Sequence, residues 1–141
     1  MFILDTDVIS EMRKVKAGKA HRNVAAWNES VALAQTYLSS ITIHELELGV
    51  LLLELKDRPQ GAILRAWLDT RVLQEFEGRI LPVDTAVAQR CAKLNVPHPS
   101  PLRDAFIAAT ALVHGMTVVT RKVDDFKPMG ADILNPWEWN S

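Results

Sequence analysis

The sequence has a single cysteine, Cys91, and a single tyrosine. One thiol excludes an intrachain disulfide, and without that staple the expected setting is a reducing one, the cytoplasm. Cys91 falls within VAQRCAKL, a helical pattern, and reads as a small core residue. Neither sign of charge dominates: sixteen Lys and Arg oppose seventeen Asp and Glu, a net charge of −1. That balance excludes a surface basic throughout, while leaving room for a local basic patch. Long apolar runs are also missing. The longest, LGVLLLEL, is interrupted by Glu54 and is too short to cross a bilayer. A strand that begins at residue 2 leaves no basic n-region for a signal peptide. The histidines (His21, His44, His98, His114) are scattered, with no pair at metal-ligand spacing, so no zinc site is expected.

What is present is an ordinary globular composition, 48% hydrophobic and 23% charged over 141 residues, enough for one domain spanning 1–141. Short apolar runs alternate with helical patterns. FILD, TYLSS, RILPV and MTVVT read as strands, with DIL near the end as an edge strand. Helices are expected at VISEMR, over 20–30, from Thr42 through LGVLLLEL, over 60–76 and over 85–94. In the third, Thr42 stands three places before Glu45 as in a capping box. A further helix starts at Ser100 and Pro101 and ends near His114-Gly115. Strands alternating with helices imply an α/β fold, a central mostly parallel sheet flanked by helices on both faces.

The acids are placed unevenly. In open parallel sheets, ligands bind beyond the carboxyl ends of the strands. Asp5 and Asp7 follow the first strand, Asp84 follows RILPV, and Asp124 and Asp125 follow MTVVT. Glu45 and Asp104 open helices that start at the same edge. Capping accounts for Asp84, and it could account for Asp5 or Asp7. Asp104 is different, because from Ala105 to Val113 its helix carries only Thr110 as a polar residue. A helix apolar nearly all round is buried, so Asp104 should sit at the mouth of the core and need a partner. A cation from outside the chain would serve. Two carboxylates about 5 Å apart repel by roughly 3 kcal/mol at an effective dielectric of about 20. A divalent ion among them removes that cost, and all-oxygen ligands suit Mg²⁺, with Mn²⁺ able to substitute. Such an ion suits phosphoryl chemistry.

Asp5-Thr6-Asp7 after an apolar strand resembles the first motif of haloacid-dehalogenase-type phosphohydrolases. That scheme would use Ser39 or Ser40, Lys122 and the pair Asp124-Asp125, and it leaves Glu45 and Asp104 without roles. A wider pattern covers nearly the whole chain. LDTDVISE, LSSITIHELELGV, DAFIAATALVHGMTVVTR and LNPW, in that order, resemble the PIN-domain family, and most closely the VapC and FitB toxins of bacterial toxin–antitoxin pairs. The resemblance implies a metal-dependent endoribonuclease that forms a homodimer and is neutralised by a cognate antitoxin. DNA would be met only indirectly, through that antitoxin, and no membrane is involved. By position, Asp5, Glu45 and Asp104 are the family's acids, with Asp5 and Asp104 as direct metal ligands. Two positions depart from the pattern. Asp7 stands where Asn is usual, and Lys122 stands where an acid or Asn is common, so Asp125 (or, failing it, Asp124) is the candidate fourth acid. Lys122 also keeps open a catalytically silent binding module acting through an antitoxin and operator complex.

Arg13, Lys14, Lys16, Lys19 and Arg22 form an acid-free basic stretch after the first strand, expected near the acidic rim, where it would suit an RNA backbone. Trp27 and Trp67 are expected in the core, with Trp137 and Trp139 pinning the tail to the sheet. The apolar load of LGVLLLEL is expected to meet a partner.

Overall fold

A computed structural model describes residues 1–140. Its strands are β1 (Phe2–Leu4), β2 (Thr36–Ser39), β3 (Ile80–Leu81), β4 (Thr117–Val119) and β5 (Ile133–Leu134). They form one sheet in the order β3-β2-β1-β4-β5, and every pairing is parallel. The first strand in sequence is therefore the central one, in register with Thr36 and Tyr37 on one side and with Thr117 to Val119 on the other. RILPV and DIL contribute only two ladder residues each, at the two edges.

Successive residues on a strand point to opposite faces, and both faces are covered. Ile3 and Val118 point into one core, packed by α6 (Thr85–Leu94) and α7 (Leu102–His114). Leu4, Leu38 and Val119 point into the other. That second layer is built from α1 (Thr6–Met12), α2 (Arg22–Ser30), α3 (Ser40–Lys56), α4 (Arg58–Trp67) and the short α5 (Leu73–Glu75). Cys91 lies in the first core, as its helical setting suggested. Trp27 is fully buried in the second, Trp67 is half-buried there, and Trp137 and Trp139 pack on its edge. Asn23 holds that tail by donating from Nδ2 to the Trp137 carbonyl at 2.6 Å.

Three helix boundaries differ from expectation. α3 starts two residues before Thr42, because Ser39 is the N-cap and accepts from the Ile41 N–H at 3.0 Å. Thr42 is instead a buried helical residue. α7 starts at Leu102 after Pro101, and Ser100 bonds back to Asn95 and Leu94 rather than capping it. The helix expected over 60–76 is broken by a wider turn at Leu68–Val72. Its core residues, Leu64, Leu68, Val72 and Phe76, are four apart. That spacing drifts about 40° per step on a 3.6-residue helix, and a locally wider turn takes up the drift. Capping by Asp84 is as expected: its carboxylate accepts from the Val87 N–H at 2.9 Å.

α3 buries Thr42, Leu46 and Val50, a stripe spaced every four residues, and exposes Leu51, Leu52 and Leu55. α3 and α4 lie close together. A Cβ on Gly61 would come within 2.6 Å of the Glu54 Cα, so only glycine fits.

Candidate active site

Three neighbouring strands, β2, β1 and β4, end at one rim. Asp5 follows β1 directly and is the N-cap of α1, its Oδ1 accepting from the Thr6 N–H at 2.8 Å. Oδ2 accepts from the Thr120 hydroxyl at the end of β4, at 2.7 Å. Asp5 is 1% exposed, and its backbone N–H is bonded to the Val119 carbonyl at 2.9 Å, so the strand fixes this carboxylate on both sides. Asp104, in the first turn of α7, is also buried. Glu45, in the second turn of α3, is half-buried at the same rim, with Arg103 Nη1 3.8 Å from its Oε2. The Thr6 hydroxyl reaches toward the Thr42 hydroxyl at 3.4 Å and ties the starts of α1 and α3 together.

The cation that the Asp104 carboxylate was expected to need comes from inside the chain. Lys122 Nζ lies 2.7 Å from Asp104 Oδ1 and 3.7 Å from Asp5 Oδ2, between the two acids. Sequence reading had Lys122 as a departure from the family pattern but had no means of pairing it, since its partners lie 18 and 117 residues away. Thr6 and Thr42 were also missed as parts of the rim. The signal for Thr6 was its place between two aspartates.

Electrostatics confirm that this is an expensive place for negative charge. Burial pushes the Asp5 carboxyl up, against the Thr120 hydrogen bond, the Lys122 charge and the Thr6 N–H. Asp7 is pushed up to about 6, first by burial and then by the charge on Asp5. Among the described residues, its Oδ2 accepts from the Arg121 N–H at 3.4 Å, while buried Oδ1 has no hydrogen-bond partner. Glu45 is raised by burial, with the Thr6 hydroxyl opposing and Asp5 adding to the shift. For Lys122, burial alone would favour the neutral amine. The bond to Asp104 and the charges of Asp5, Asp104 and Asp7 outweigh it and raise its pKa.

Asp125 lies next to Lys122 on the solvent side. It is exposed on α8 (Val123–Phe126). With Asp124 it borders a shallow depression lined by Arg121, Lys122, Asn135 and Glu138. The basic stretch is also displaced from its expected place. α1 starts at the rim and runs away from it, so the residues after Met12 lie at its far end. Arg13 and Lys16 line a cavity of ≈ 450 Å³ that reaches Thr36, at the opposite end of β2.

The donor set suits a divalent ion. Asp5, Glu45 and Asp104 offer only oxygen, two of the three are raised by burial, and a positive group already stands between Asp5 and Asp104. Among the described residues, no three acidic, histidine or cysteine side chains close on one point.

The model of the PIN domain family matches residues 2–128. The chain belongs to the PIN-domain family. Within it, the similarity is to VapC and FitB toxins of toxin–antitoxin systems. Toxin FitB of Neisseria gonorrhoeae is 39% identical over 142 residues, covering 97% of this chain and 99% of that protein. VapC ribonuclease Y4jK of Sinorhizobium fredii is 36% identical over 143 residues, covering 98% and 99%. The crystal structure of FitAcB from Neisseria gonorrhoeae is similar with a TM-score of 0.88 at 37% identity, over 98% of this chain and 99% of that one. The haloacid-dehalogenase scheme loses its support with this membership; of the two serines it offered, Ser39 is occupied in capping α3 and Ser40 is the first residue of that helix.

Proposed function

We propose that this chain, acting as one domain over 1–141, is a metal-dependent endoribonuclease toxin that hydrolyses RNA phosphodiester bonds and is neutralised by a cognate antitoxin. The observation that carries it is the convergence of buried Asp5 and Asp104 on one cation position, with Glu45 beside them. Asp5 and Asp104 would hold Mg²⁺ (or Mn²⁺), and Glu45 would help hold the ion or its water. When bound, the ion supplies charge neutralisation at the scissile phosphate and acidifies a water. Thr120 and the Thr6 N–H keep Asp5 in one rotamer, so the ligand is preorganised. The exposed cations Lys16, Lys19 and Arg22 would hold the RNA backbone beyond the far end of α1. Asp125 we assign a supporting place beside Lys122, short of direct ligation.

The toxin would act in the cytoplasm as a homodimer, with the exposed face of α3 as a partner surface, and would meet DNA only through its antitoxin. That a complex of this kind meets DNA at all is supported by a solved structure of FitAB bound to a DNA fragment, similar at a TM-score of 0.88 and 36% identity. The hold of Lys122 on Asp104 favours a second reading, a silent module that acts only through its antitoxin. The deciding test is incubation of antitoxin-free protein with total cellular RNA and Mg²⁺ or Mn²⁺, beside Asp104→Asn and Asp125→Asn. Discrete fragments that need metal, vanish in Asp104→Asn and persist in Asp125→Asn are expected. Intact RNA with folded, metal-loaded protein would overturn the nuclease in favour of the silent module.

A further inference from the structure

Lys122 is held at three points. Its backbone N–H donates to Thr120 Oγ1 at 3.0 Å, and that hydroxyl donates in turn to Asp5 Oδ2. Its stem passes the Phe126 ring, with Nζ 5.8 Å from the ring centroid. Its ammonium donates to Asp104 Oδ1 at 2.7 Å, with Asp5 Oδ2 on its other side. The acids are sealed in and the lysine is not: the side chains of Asp5 and Asp104 are 2% and 9% exposed, that of Lys122 43%. The charges also fail to balance, since one ammonium faces two carboxylates. A divalent ion would neutralise both acids, and the lysine has an open path to solvent.

We propose that the Lys122 ammonium is an internal counter-cation that braces Asp5 against Asp104 in the metal-free protein and must leave Asp104 for a divalent ion to bind there. The inference rests on the metal-dependent reading above. Two consequences separate it from an ordinary ion pair. The rim stays closed without metal, because withdrawing the ammonium leaves two buried carboxylates uncompensated. Metal affinity is also lowered by the work of displacing the lysine, so binding and lysine release are one coupled event.

The test uses the full chain without metal. Isothermal titration with Mn²⁺ compares the wild type with Lys122→Met and with Arg121→Gln, which removes one positive charge from the neighbouring residue, whose guanidinium packs on Trp137. Lys122→Met should bind Mn²⁺ about tenfold tighter or more and should melt several degrees lower in the absence of metal. Arg121→Gln should change affinity much less. In the wild type, the ¹⁵N signal of the Lys122 ammonium should be lost or shifted by Mg²⁺ at the midpoint of binding. Equal Mn²⁺ affinity in wild type and Lys122→Met, or an equal gain in Arg121→Gln, would overturn the internal counter-cation while leaving the metal site standing. No Mn²⁺ binding by any of the three proteins would overturn the metal reading and this inference together.

Discussion

The Thr120 hydroxyl joins the carboxyl ends of β1 and β4: it donates to Asp5 Oδ2 at 2.7 Å and accepts from the Lys122 N–H at 3.0 Å. Thr120→Val keeps the shape and removes both bonds at a fully buried position. A hydrogen bond to a charged group contributes roughly 1.5–3 kcal/mol. The metal-free variant should therefore melt lower by several degrees, and Thr120→Ser should recover most of the loss. Differential scanning calorimetry checks both. Equal stability of Thr120→Val would mean that Asp5 is held by its backbone and Thr6 alone.

Asp7 has its carboxyl raised from 3.8 to about 6 by burial and by Asp5. The folded state thus binds this proton more tightly than the unfolded chain, and the stability it adds is complete below about 4. It is lost as pH rises through about 6, above which the charged, half-satisfied carboxylate is a penalty. Asp7→Asn should raise the melting temperature of metal-free protein at pH 7.5, with the gain shrinking to nothing near pH 4. Paired melts across that range are the measurement, and a pH-independent difference would contradict the cause given.

Gly61→Ala should destabilise the protein even though alanine is the better helix former by about 1 kcal/mol. Its Cβ would meet the backbone of Glu54 at 2.6 and 2.8 Å, and backbone cannot step aside as a side chain can. Overpacking of this kind costs about 1–3 kcal/mol or more, so a net loss is expected in urea unfolding. A gain would show that α3 and α4 can part cheaply.

Replacing Lys16, Lys19 and Arg22 with alanine should weaken binding of single-stranded RNA and flatten its salt dependence. Each lost phosphate contact removes about 0.7 from the slope of log affinity on log salt. Fluorescence anisotropy at several salt concentrations reads both. Because these residues lie beyond the far end of α1, the divalent-ion affinity of the rim should stay the same.

Much of this was legible in the sequence, for local reasons. FILD shows a buried strand by its apolar run, and Asp104 betrays its burial because the helix behind it has almost no polar face. What was not legible depended on direction or on distance along the chain. Lys122 could be numbered but not aimed, since its acids arrive from β1 and α7. The basic stretch was placed at the rim because it follows β1. The helix between them carries it the other way, toward Thr36. Thr42 matched a capping box by spacing, but the hydroxyl of Ser39 reached the helix start first. The wide turn at Leu68–Val72 had no Gly or Pro to announce it.

The sheet order sets a schedule for synthesis. Of the five strands β1 precedes the others, and its neighbour β2 ends at Ser39, but its other neighbour, β4, is not made until Thr117–Val119. Asp104, Thr120 and Lys122 all arrive in that late stretch. Asp5, Asp7 and Glu45 are thus made well before the acid and the lysine that complete the rim. The rim proposed as the site of chemistry is therefore a late assembly: it needs α7 and β4 to bring Asp104 and Thr120 to an Asp5 that was placed long before.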